Sequence, residues 1–148
     1  MDRSEEAHDL MAGHRTNCAQ AILSTYGPDF GLERDMALTI AQGFGGGMAR
    51  LGRTCGAVSG AYMVLGLSQK VTAANPRDAL EITYQLIREF NRSFETLHGS
   101  LDCRELIGYD LGTLDGLAEA REKGVFITVC PRFVRDAAQI LEILLRPQ

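Results

Sequence analysis

The spacing of apolar residues divides the chain into helical stretches separated by glycine and proline. Ala7, Leu10, Met11, His14, Cys18, Ala21, Ile22 and Thr25 recur at steps of three and four. That is the period of one helix face, and it predicts a single amphipathic helix from Ser4 to Tyr26. Ser4 suits its N-cap, and Gly27-Pro28 stops it. A second helix is expected from Leu32 to Gln42. The run from Gly43 to Gly52, with Gly45, Gly46 and Gly47 in succession, cannot extend a helix cheaply and reads as a loop. The third helix should begin near Cys55 and reach about Leu67. One side of it is small, with Gly56, Ala57, Ser59, Gly60 and Ala61, while Tyr62, Met63, Val64, Leu65 and Leu67 are core-like.

Asn75-Pro76 combines a capping residue with a proline at the first turn and opens a fourth helix. Its apolar stripe is Leu80, Tyr84, Ile87, Phe90, Phe94 and Leu97, and Gly99 is the expected C-cap. Beyond it the pattern shortens. A helical turn is expected from Cys103 to Ile107, broken at Gly108, then a brief helix from Asp115 to Lys123 ending at Gly124. Val125 to Val129 is β-branched and reads as extended, although one strand makes no sheet. Pro131 starts a last helix with Phe133, Val134, Ala137, Ile140, Leu141 and Leu144 on its buried side. With no internal repeat or linker, the expected fold is all-α: one domain over residues 1–148, a bundle of about five or six helices.

Composition changes this picture little. The 148 residues include 45% hydrophobic and 23% charged side chains, a globular balance. A net charge of −4, with no basic run, argues against a nucleic-acid partner. No apolar run approaches the roughly 20 residues of a membrane span, so no membrane partner is expected. Met1 to His8 is polar and acidic, so no signal peptide is expected and the cytoplasm is the expected compartment.

In that reducing setting, disulfides are not an explanation for cysteines. The four here are Cys18, Cys55, Cys103 and Cys130. None forms a Cys-x-x-Cys pair, so neither a thioredoxin-type motif nor a zinc knuckle is present. Their expected positions are more telling. Cys55, Cys103 and Cys130 fall at predicted helix starts, where free N–H groups and the helix dipole stabilise a thiolate. Cys18 falls mid-helix, one turn after His14, which could accept its proton or join it as a ligand. A buried core histidine is the simpler account of His14. Arg50 and Arg53 flank the motif in sequence, where either could lower a thiol pKa or bind an anionic substrate, but solvated loop charges are the simpler account of both. His8 and His98 read as surface residues. The alternative for the cysteines as a set is inert core filling, because free cysteine packs as a small hydrophobe.

The stretch Cys55-Gly56-Ala57-Val58-Ser59-Gly60, with Cys18 upstream and Cys103 and Cys130 downstream, resembles the redox-active four-cysteine family written C_GCAxxG_C_C. The Phe44-Gly45-Gly46-Gly47 lead-in and the Val64-Leu65-Gly66-Leu67 tail resemble it too. The resemblance runs from Asn17 to Cys130 and places the family's thiols on these four cysteines. It implies redox work with an unnamed redox partner. The implied chemistry is dithiol/disulfide exchange or electron transfer, with Cys55 expected to attack first. A binding module is the alternative, in which the four thiolates hold an iron–sulfur cluster or, less simply, a zinc ion. Gly45, Gly46 and Gly47 are expected to bring backbone close to sulfur. The small face of the third helix suggests close packing, across a homodimer if not within the chain.

Overall fold

The computed structural model describes residues 2–147. It is helical throughout, with no strand among the described residues and one isolated bridge, Thr54 to Asp102. In chain order the helices are α1 (Arg3–Ala12), α2 (Cys18–Tyr26), α3 (Arg34–Ala41), the short turn α4 (Gly45–Met48), α5 (Gly56–Ser68), α6 (Pro76–His98), α7 (Cys103–Ile107), α8 (Leu114–Glu122), α9 (Val125–Thr128) and α10 (Cys130–Leu144). Seven of these span eight residues or more, against the five or six expected.

The difference arises mainly in the predicted Ser4–Tyr26 helix, which is two helices. Gly13 closes α1 by donating its N–H to Asp9, and His14 turns the chain at φ 57°. Asn17 then starts α2 with a reciprocal capping box. Its side chain accepts from the Gln20 N–H at 2.9 Å, and the Gln20 side chain accepts from the Asn17 N–H at 3.0 Å. Such a pair satisfies two of the donors a helix start leaves open, and here it outweighs a continuous apolar stripe. His14 and Cys18 therefore do not share a helix face, and Cys18 is the first residue of α2.

Helices α2 and α5 form the centre. Eight of the nine residues of α2 are buried, and α5 buries Gly56, Ala57, Val58, Ser59, Gly60, Ala61, Val64 and Leu65. They can lie this close because α5 presents glycine to α2. A Cβ on Gly56 would stand 2.9 Å from the Ala19 nitrogen and 3.0 Å from the Cys18 Cβ; one on Gly60 would stand 3.0 Å from the Ala19 carbonyl oxygen. The small face of α5 is thus spent on packing inside the chain. Around this pair, α1 packs on α10, with Arg135 reaching Glu5, and α6 contributes Phe90 and Phe94, stacked at 5.9 Å.

Three further expectations are corrected. Leu80, Tyr84 and Leu97 of the α6 stripe are exposed, because α6 meets the core through Phe90 and Phe94, with Leu86 and Ile87 half-buried against it. Val125 to Val129 is a helical turn started by Gly124 at φ 69°, since local i→i−4 hydrogen bonds offer this short segment the partners a lone strand lacks. His98 is not a surface residue: its ring packs between Phe94 and Phe133, with Nε2 2.8 Å from the Asp136 carboxylate.

Candidate functional site

Four helix starts converge on one cavity. Cys18, Cys103 and Cys130 are the first residues of α2, α7 and α10, and Cys55 is the N-cap of α5. The expectation for three cysteines thus extends to all four. Each is between 4 and 7% exposed, all are free thiols, and all line the same cavity of about 780 Å³.

Local backbone pairing sets Cys55 beside Cys103. The Cys55 N–H donates to the Leu101 carbonyl at 2.8 Å, and the Cys103 N–H donates to the Arg53 carbonyl at 2.6 Å. These bonds flank the Thr54–Asp102 bridge and join two segments far apart in sequence. Gly56 sets Cys55 beside Cys18 through the close approach of α5 and α2. Cys130 enters from α10. Met11 completes the Cys18 surroundings, its sulfur 3.9 Å from the Cys18 Sγ.

The glycine loop does lie against the thiols. Gly46, Gly47, Met48, Ala49 and Arg50 have φ of 66, 68, 67, 52 and 66°, so the chain makes a left-handed turn that few non-glycine residues adopt. At Gly47 a side chain would be both strained and obstructed, with a Cβ 2.6 Å from the Cys103 Cβ and 2.6 Å from the Arg53 nitrogen. Gly45 fits under Asn17, where a Cβ would fall 2.6 Å from that side chain. Asn17 in turn donates from Nδ2 to the Gln42 carbonyl at 3.0 Å, tying the loop to the start of α2.

The electrostatics distinguish the thiols. The neighbouring Cys18 thiol lowers the Cys55 pKa from its ordinary value, against the opposing effect of burial, and the N–H groups of Ala57 and Val58 lower it further. Those amides belong to the open first turn of α5, so the thiolate collects donors the helix leaves unused. Cys18 moves the other way. The neighbouring sulfurs of Cys130 and then Cys55 favour its protonated form, and burial adds to the effect. Burial pushes the Cys103 thiol up to about 12, helped by the neighbouring charges of Cys55 and Cys130.

Of the expected modulators, His14 lines the cavity from its exposed edge. Arg53 does not line it and acts through its backbone carbonyl. Arg50 lines the cavity, as does Arg121 of α8, which nothing in the sequence singles out. As for metal, no three cysteine sulfurs lie within 4.8 Å of one another; among the described residues the cluster that close is Glu5, His8 and Asp9.

No curated protein and no solved structure matches the chain. The family model described as "Putative redox-active protein (C_GCAxxG_C_C)" matches residues 16–144. With its Cys-Gly-Ala-x-x-Gly segment at the start of α5 and all four cysteines around one cavity, the chain belongs to the C_GCAxxG_C_C family.

Proposed function

We propose that the protein is a dithiol redox protein in which Cys55 attacks as thiolate and Cys18 closes an intramolecular disulfide with it. The carrying observation is the placement of Cys55 at the N-cap of α5 beside Cys18 at the start of α2, an arrangement that favours ionisation of one thiol while keeping its neighbour protonated. Thiol–disulfide exchange needs that asymmetry: a thiolate to attack and a second thiol close enough to resolve. A reducing compartment such as the cytoplasm would return the pair to the dithiol. Cys103, held protonated at neutral pH, stays in reserve, and His14 at the cavity edge is placed to exchange protons with solvent.

The test is selective alkylation followed by oxidation. Iodoacetamide at limiting dose is expected to label Cys55 before the other three, with a rate that levels off at a pH below that of a free thiol. After mild oxidation, peptide mapping without reductant is expected to recover Cys18 joined to Cys55. Labelling in which Cys55 is the slowest thiol, or oxidised protein lacking that peptide, would remove the reading.

A second reading has its own support. Four thiols at four helix N-termini present positive dipole ends toward one cavity, which offsets the negative charge of an iron–sulfur cluster. Cys18, Cys55, Cys103 and Cys130 would hold it, and it would supply one-electron transfer. Iron and acid-labile sulfide in stoichiometric amounts, in protein purified without oxygen, would favour this over the dithiol.

A further inference from the structure

We propose that the cysteine cavity binds a small anionic organic disulfide, with Arg50 and Arg121 holding its charged end while Cys55 attacks its sulfur. The proposal rests on the dithiol reading and names its substrate class. An internal dithiol needs no cavity, yet the thiols face about 780 Å³, within the range of small-molecule sites. The charge of the lining is selective. The chain carries 19 acidic and 15 basic Lys/Arg residues, but no carboxylate lines the cavity, whereas His14, Arg50 and Arg121 do. Among the described residues neither arginine pairs with a carboxylate, so both are available to a ligand.

The backbone is shaped around one of them. Gly46 lies at φ 66°, and a Cβ there would stand 3.0 Å from the Arg50 Cγ, so glycine makes room for the arginine stem. Leu106, Leu117 and Phe126 also line the cavity and give it an apolar surface suited to the body of an organic molecule. The arrangement therefore takes a molecule with a negative end and an apolar middle.

The chemistry closes. The Cys55 thiolate forms a bond to one substrate sulfur, the substrate S–S bond breaks, and the first substrate thiolate leaves. Cys18 gives its proton to that thiolate and attacks the Cys55 sulfur, releasing the second substrate thiolate. The substrate gains two electrons and becomes a thiol and a thiolate; the protein loses two and holds a Cys18–Cys55 disulfide.

The experiment compares the rates at which reduced protein reacts with dianionic 5,5′-dithiobis(2-nitrobenzoate) and with dicationic cystamine. Each rate is divided by that of N-acetylcysteine amide with the same reagent, at low ionic strength. The normalised ratio is expected to favour the dianion at least tenfold and to fall about tenfold in an Arg50→Gln/Arg121→Gln variant, as expected for two exposed ion pairs. Salt at about 1 M should shrink it likewise. A ratio that the double variant leaves in place overturns the proposal. Calorimetric titration with terephthalate, a dianion with no sulfur, separates the two ideas. Arginine-dependent binding beside unreactive thiols would remove the dithiol chemistry and keep the anion site. No binding, with a charge-blind rate ratio, would remove the anion site and keep the dithiol.

Discussion

Two glycines of one helix should respond to the same substitution in opposite directions. In Gly60→Ala the new Cβ would stand 3.0 Å from the Ala19 carbonyl oxygen, 3.1 Å from the Ile22 Cβ and 3.3 Å from the Ala19 Cα. Two of those atoms are backbone of the buried helix α2, so no side chain can swing away and the helices must part by a few tenths of an ångström. Overpacking of this kind costs about 1–3 kcal/mol. Replacing glycine by alanine within a helix returns about 0.5–1 kcal/mol, leaving Gly60→Ala destabilised by about 1 kcal/mol. At Gly66, one and a half turns further along α5, a Cβ meets nothing within 4 Å. Only the helix-propensity gain remains there, so Gly66→Ala should be more stable than the parent by about 0.5–1 kcal/mol. The gap of about 2 kcal/mol corresponds to roughly 5 °C in Tm for a chain of this size. Thermal and urea unfolding followed by far-UV circular dichroism measure it, and suit a chain with no tryptophan. If Gly60→Ala melts with or above Gly66→Ala, the close contact of α5 with α2 is not what Gly60 is for.

Two further predictions concern the site's supports. Asn17→Ala removes both the cap on α2 and the tie to Gln42, and should cost about 1–2 kcal/mol in urea unfolding; a change below about 0.3 kcal/mol would show that the cap is dispensable. Because the Cys103 thiol is raised from 9.0 to about 12 in the folded protein, the unfolded chain releases its proton first as pH rises. Its contribution to stability is therefore whole below about pH 9 and is lost between 9 and 12. Cys103→Ser should flatten that alkaline decline relative to the parent in unfolding titrations, and an unchanged slope would contradict the burial of Cys103.

Much of the fold was legible because local chemistry decided it. Pro76 and Gly99 bound α6, Gly108 ends α7 and Gly124 separates α8 from α9, each through a constraint carried by one residue. The misreadings share a different cause. The apolar stripe from Ala7 to Thr25 persists through Gly13–Asn17 although the helix does not, since the chain turns while both halves still face the core. The Asn17-x-x-Gln20 capping box was the local signal that marks the break. The α6 stripe overstated burial because amphipathicity records which side is apolar, not how much of it finds a partner.

The sequence by itself determined that the chain is helical, that it carries a Cys-Gly-Ala-x-x-Gly segment and that three of its cysteines fall at helix starts. These follow from hydrogen bonding and sterics within a few residues. Only the tertiary structure decided that all four thiols share one cavity, that Cys18 stands beside Cys55, and that Arg121 joins Arg50 on the lining while Arg53 does not. Those relations join residues tens of positions apart. They depend on how closely α5 approaches α2 and on the Thr54–Asp102 pairing, distances that arise only when the helices pack.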